Sequence, residues 1–203
     1  ALSQIRHGSE AGLDALAGAV RTGDACCLIL DGWYGIDWKT IVPALQSRLN
    51  NAKALSCASI YYDSAKLAEL KKEWITEDPC FGKVNNIGTL DDFIDPARLK
   101  AFEENCPDEF FIVYGPGALK CFPGCKDSVR CFFDRPADPM LWQMWNGELV
   151  PFGSAEPRKD YGWKEYYYND FYVLQRHKAA ELGRCDFYCE AVETEGLTLM
   201  PEK

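Results

Sequence analysis

The chain has 203 residues, enough for one compact domain with a sizeable core. Its 22 Lys+Arg against 31 Asp+Glu leave a net charge of −9, and no Lys/Arg-rich run interrupts that balance, so nucleic acid and anionic membrane are not expected as partners. A hydrophobic fraction of 47% with 26% charged residues excludes a disordered or fibrous chain, and no unbroken apolar run reaches the ~18 residues of a membrane span.

In chain order, residues 9–22 read as an amphipathic helix with Ser9 as its cap and Leu13, Leu16, Ala17 and Val20 on one side. The run 25–31 (ACCLILD), ended by Gly32, has the pattern of a strand buried on both faces. Thr40 is expected to cap the next helix, which would place Pro43 at its third position, where a missing N–H costs little. A strand over 55–62 and a charged helix over 64–74 follow. Asp95-Pro96 opens a capped helix to about residue 105, with proline at the first position. Phe110–Tyr114 is a third strand and Val129–Phe133 a fourth; then come a short helix at 138–146, a Gly/Pro-rich loop, a long helix over 164–182 and a last strand over 186–192. The tail carries little signal.

Such alternation calls for an α/β fold: three layers, a mainly parallel sheet with helices on both faces. The whole span 1–203 reads as a single α/β domain, with 147–163 as a mobile loop.

The ten cysteines are fewer than a disulfide scaffold needs, and several sit inside apolar runs where a reduced thiol behaves as a small hydrophobe. With no signal-peptide pattern at the start, this makes a cytoplasmic location the expectation. The pairs Cys121/Cys125 and Cys185/Cys189 each enclose three residues, a poor match to zinc-knuckle spacing, and no metal is expected there.

In an open parallel sheet, ligands bind beyond the carboxyl ends of the strands. Three such ends are marked. After the first strand, Asp31, Gly32, Gly35, Lys39 and Thr40 lie in a strand–loop–helix context resembling a P-loop, which holds phosphates with backbone N–H groups and a lysine. Trp38 replaces the glycine beside the lysine, the first glycine comes one residue early, and Asp37 puts a carboxylate into the cradle, so no intact Walker A is present. The plain alternative is a glycine turn plugged by aromatics. After the third strand, Gly115 and Gly117 allow close backbone approach, or simply make a tight turn. After the fourth, Asp134 and Arg135 offer a carboxylate and a guanidinium, or a local surface pair. Arg158 and Arg176 belong to further local groups of cations, which in an acidic chain fit an anionic small ligand; ordinary solvation of the helix accounts equally for Arg176. His177 reads as a packed histidine, and most of Tyr166–Tyr168, Phe171 and Tyr172 as core or lining.

The segments LILDGWYGIDW, TEDPCFGKVNNIGTLDDFIDPARL, FIVYGPGA and KDYGWKEYYYNDFYVLQRHKAAEL resemble the amino-terminal region of certain bacterial proteins labelled class I mannose-6-phosphate isomerase. That resemblance runs from about residue 24 to 190. It implies an α/β domain with the P-loop-kinase-like topology of nucleoside kinases, preceding a zinc-binding cupin. The isomerase chemistry belongs to the cupin, for which this chain has no β-rich segment, so the isomerase label does not transfer.

The resulting expectation is a kinase-like α/β domain that binds a small phosphorylated ligand, a sugar phosphate or nucleotide, without catalysis. Its contacts would be Asp31, Gly32, Gly35, Lys39, Thr40, Gly115, Gly117, Asp134, Arg135, Arg158 and Arg176. No cofactor is expected, apart from Mg²⁺ should the ligand be a nucleotide. The alternatives are a phosphotransferase with a degenerate P-loop, using Lys39 and Thr40 with Asp31 or Asp134 as base or metal partner, and a protein-interaction module. Association with a sugar-phosphate isomerase, or with further copies of itself, is the partner expected besides the ligand.

Overall fold

The computed structural model describes residues 4–202. Its seven-stranded mixed sheet, in chain-order labels, comprises β1 (Arg6–His7), β2 (Cys27–Gly32), β3 (Lys53–Ser56), β4 (Phe111–Tyr114), β5 (Ser128–Asp134), β6 (Phe187–Glu190) and β7 (Thr198–Pro201). Across the sheet the order is β1-β7-β6-β5-β2-β4-β3. The strands from β3 through β6 are mutually parallel, with β2 at their centre, and β7 and β1 add antiparallel at one edge. Helices α1 (Ser9–Thr22), α2 (Trp38–Arg48), α3 (Ser64–Ile75), α4 (Pro96–Glu104), α5 (Ala137–Trp145), α6 (Trp163–Glu165) and α7 (Phe171–Glu181) complete an α/β fold.

Alternation along β2 shows why a continuous apolar run was needed. Cys27 and Ile29 point into one core with Val113, Phe132, Met140, Val173 and Leu174. Leu28 and Leu30 point into the other with Leu13, Leu16, Ile41 and Leu45. Every residue of β2 is buried, as expected for a strand covered on both faces.

Several boundaries differ from the sequence reading for identifiable reasons. Helix α1 is capped at Gly8 (φ 87°); Ser9 instead turns its hydroxyl to the Thr194 carbonyl. Asp37, not Thr40, caps α2, accepting from the Thr40 amide at 3.2 Å. The helix thus starts at Trp38 and carries Pro43 in its interior. The strand expected over 55–62 stops at Ser56, whose hydroxyl accepts from the Ala58 amide and opens a 3₁₀ turn over Cys57–Ile60. The long helix expected over 164–182 is interrupted by a π turn at Tyr166–Asp170. Asp95 caps α4 with Pro96 at the first position, as the dipeptide implies. The tail, weak in sequence, supplies β7. Leu149, Phe152 and Tyr161 in the 147–163 segment are buried, and Phe152 stacks on Tyr61 at 5.1 Å.

The chain leaves β2 toward β3 at one edge and leaves β5 toward β6 on the other side. Neighbouring strands β2 and β5 therefore send their connections in opposite directions, which opens a crevice at their carboxyl ends. Among the described residues, no helix is long and apolar enough to cross a membrane.

Candidate functional site

The loop 33–37, between β2 and α2, stands at this crevice and separates two clefts. An aromatic cleft of about 280 Å³ lies over the ends of β2, β4 and β3, roofed by residues 148–157. Trp33, Tyr34, Trp38, Tyr61, Tyr114 and Phe152 line it, and Lys39 is its single cation against Asp37 and Glu148. A more polar cleft of about 340 Å³ lies over β2, β5 and β6, where Arg135 and Lys178 face Asp134 and Glu190, with Gln175, Tyr188 and Trp33 beside them.

Sequence dictates the loop's shape residue by residue. Gly32 has no room for a side chain: a Cβ would lie 2.9 Å from the Phe133 carbonyl oxygen and 3.0 Å from Trp38 Cζ2. Trp38 packs between Tyr114 and Phe133, with ring centroids 5.9 and 5.3 Å away. Tyr34 dives inward, donating to Asp170 Oδ2 at 2.8 Å and accepting from the Phe152 amide at 3.0 Å. Gly35 (φ 82°) then reverses the chain, and its carbonyl receives Arg135 Nη1 and, at 3.4 Å, Gln143 Nε2.

Arg135 is the least compensated cation here. It forms no ion pair among the described residues, and its Nε is buried without a hydrogen-bond partner. Burial lowers its pKa, opposed by the Asp37 charge. Gln143 Oε1, on the aromatic side of the same loop, is likewise buried and unpartnered. Native structures leave few such groups unsatisfied; Tyr166 Oη and His177 Nδ1 are the other two among the described residues.

The other residues singled out in sequence are held by the fold. Asp31 is fully buried and saturated: it accepts from the amides of Gly32 (2.7 Å), Gly117 (2.9 Å) and Leu119 (2.9 Å) and contacts His177 Nε2 at 2.7 Å. Gly115 and Gly117 keep positive φ; a side chain at Gly117 would strike the Tyr61 hydroxyl, while Gly115 borders the aromatic cleft. Asp134 accepts from the Arg135 amide, Lys178 and Tyr188. Arg158 pairs with Asp160 and Glu165, which raise its pKa. Arg176 binds the Gly88 and Asn85 carbonyls at 2.6 and 2.7 Å and pins their loop. Lys39 stays 79% exposed at the mouth, 3.9 Å from Glu156. Thr40 donates its amide to Asp37 and faces a separate groove beside α1. Of the four cations among the expected contacts (Lys39, Arg135, Arg158 and Arg176), Arg135 and Lys39 border the clefts, the first with no ion pair among the described residues and the second with only an exposed one to Glu156.

Behind the clefts runs a polar network that sequence reasoning missed. Lys71, 2% exposed, lies 2.7 Å from Glu165 and 2.9 Å from Asp170 Oδ1. Asp170 also receives the hydroxyls of Tyr34 and Tyr161 and the side-chain Nδ2 of Asn169. The π turn brings these partners together; a lone lysine in a charged helix gave no signal of it. Burial pushes the Tyr34 and Tyr161 hydroxyls well above the usual tyrosine range, the Asp170 charge adding to it.

Asp31 and Asp134, the two carboxylates weighed as metal partners in sequence, already accept from four and three protein donors, while Glu190 at the end of β6 also lines the polar cleft.

No curated protein and no solved structure matches the chain. Over residues 12–203 it matches the family described as Domain of unknown function (DUF8485), and the chain belongs to that family.

Proposed function

We propose that this protein is a non-catalytic binding domain for a small phosphorylated ring compound of the sugar-monophosphate class. The phosphate is received by Arg135 in the polar cleft, with Lys178 and the Tyr188 hydroxyl beside it. The ring lies across Trp33 among the aromatics, and Lys39 guards the mouth. The observation that carries this reading is Arg135, which lines the polar cleft at the switch point of the sheet and makes no ion pair among the described residues.

Electrostatics favours a monophosphate over a triphosphate. Asp37 already occupies the amino terminus of α2, where a P-loop would seat a phosphate chain. Arg158 and Arg176 are committed elsewhere, and Asp31 and Asp134 already hold four and three protein donors. These contacts count against the phosphotransferase alternative. The β2–glycine loop–α2 unit with Lys39-Thr40 at its helix start supports a kinase-like ancestry, and the resemblance to the amino-terminal part of mannose-6-phosphate isomerase-like proteins points to the same ligand class. Reduced thiols fit a cytoplasmic setting, since all ten cysteines are free.

A thermal-shift panel of sugar phosphates, free sugars, nucleoside monophosphates and triphosphates, with and without Mg²⁺, tests the proposal. A ligand at about 100-fold its Kd raises Tm by roughly 5–10 °C for a domain of this size. A shift with sugar phosphates that needs no Mg²⁺ supports it. A response confined to Mg²⁺-triphosphates reinstates the phosphotransferase.

A further inference from the structure

At the opposite, amino-terminal end of the parallel strands, three cysteines converge. Cys26 and Cys27 stand at the start of β2, and Cys125 lies in the loop that leads into β5. Their sulfur atoms lie within 4.8 Å of one another. The Cys26–Cys27 and Cys27–Cys125 separations are both 3.9 Å, and Cys26–Cys125 is 2.8 Å. Residues 26 and 125 are far apart in sequence, so the cluster is made by the sheet and not by a local motif.

The backbone holds the three in place. Cys27 sits in parallel register opposite Ser128 on one side and Phe111 on the other. The Cys26 amide donates to the Asp127 carbonyl at 2.8 Å. The Cys125 carbonyl receives both Ser128 Oγ (3.1 Å) and Arg130 Nη2 (2.9 Å), and its amide donates to Phe122 at 3.0 Å. One thiol, Cys27, is buried in the core, Cys125 is half-buried, and Cys26 is exposed. The arrangement is a rigid base with a solvent entrance.

We propose that Cys26, Cys27 and Cys125 form a binding site for a soft, thiophilic metal ion, with Cu(I) as the ion that fits. Metal–sulfur bonds of about 2.3 Å place sulfurs roughly 3.8–4.0 Å apart in tetrahedral or trigonal sites. Two of the three edges already have that length, and the third opens by about 1 Å when the exposed Cys26 side chain turns. An all-sulfur donor set selects soft ions, and three thiolates complete a trigonal shell without a fourth ligand, whereas Zn²⁺ would need one from solvent. Binding exchanges S–H bonds for metal–sulfur bonds, releases the thiol protons to solvent and leaves every oxidation state unchanged. The site is independent of the ligand clefts at the other end of the sheet.

The test is anaerobic titration of the fully reduced protein with Cu(I) against a chromogenic Cu(I) chelator, with a parallel titration by Zn²⁺. The proposal predicts one tightly held Cu(I) per chain and an all-sulfur, three-ligand shell by X-ray absorption. It also predicts at least a tenfold loss of affinity in both Cys26→Ser and Cys125→Ser, two positions where the protein should still fold. Cys80→Ser and Cys106→Ser should retain the site. Cu(I) binding that survives Cys26→Ser and Cys125→Ser overturns the assignment, as does binding no tighter than that of the exposed Cys80. A chain that takes Zn²⁺ but not Cu(I) overturns the choice of ion. A chain that takes neither, and instead links Cys26 to Cys125 as a disulfide in air, overturns the metal site altogether.

Discussion

His177 Nε2 lies 2.7 Å from Asp31 Oδ2, and both side chains are buried. This contact ties α7 to the carboxyl end of β2, while the other bonds of Asp31 close the Gly115–Ala118 turn beneath the aromatic cleft. Sheet, helix and turn are thus fastened by one carboxylate.

The pair makes stability depend on pH. Burial alone would lower the His177 pKa, but the charge of Asp31 and its hydrogen bond outweigh it, and the net shift is upward. A group whose folded pKa is raised contributes stability that is fully present below the unfolded value, about 6.5, and is lost as pH rises through the folded pKa. Melting curves from pH 5.5 to 9 should therefore show wild type losing stability relative to His177→Gln as pH increases. Parallel curves for the two proteins would refute the ionic pairing.

Asp31→Asn tests the same fastening from the other side. It keeps one acceptor oxygen but removes the charge and one of the acceptors on which three amides and His177 converge. Breaking a buried, bonded pair of this kind costs about 3–5 kcal/mol. Urea unfolding should show a loss of that order; a loss below about 1 kcal/mol, the size of one ordinary hydrogen bond, would contradict the structural role given to Asp31.

Lys71→Met leaves Asp170, which is fully buried, without its cation. The expected destabilisation is again about 3–5 kcal/mol, and Lys71→Met/Asp170→Asn should recover part of it, because the uncompensated charge is then gone. Equal losses in the single and double variants would show that the network holds the π turn by shape rather than by charge.

Asp37→Asn separates capping from electrostatics. Asparagine caps a helix about as well as aspartate, so stability should change by only a few tenths of a kcal/mol. Removing the charge that faces Arg135 should tighten binding of an anionic ligand several-fold in calorimetric titration. Weaker binding in this variant would mean that Asp37 itself contacts the ligand.

The parts of this fold legible in sequence are those set by local chemistry. The glycine after ACCLILD, the Asp95-Pro96 start of α4 and the apolar alternation of α1 each name their own structure. What escaped depends on distant partners. No local signal shows that Thr194 claims the Ser9 hydroxyl, or that Arg6–His7 pairs with Thr198–Leu199. The π turn at Tyr166–Asp170 carries contacts with Lys71 and Tyr34, far away in the chain, besides one with nearby Tyr161. The same holds for the site. A list of cations is visible in sequence, but which of them are already spent is not. Arg158 and Arg135 look alike until Asp160 and Glu165 are seen paired with the first and, among the described residues, no carboxylate within ion-pair distance of the second.

The central claim is that Arg135 receives the phosphate of a small ligand at the switch point between β2 and β5. The most direct measurement is calorimetric titration of a sugar monophosphate into wild type, Arg135→Gln and Lys126→Ala, the last removing an exposed cation at the far end of the sheet. The proposal predicts Mg²⁺-independent binding, weakened at least tenfold in Arg135→Gln and unchanged in Lys126→Ala. Equal affinity in all three proteins would contradict the claim.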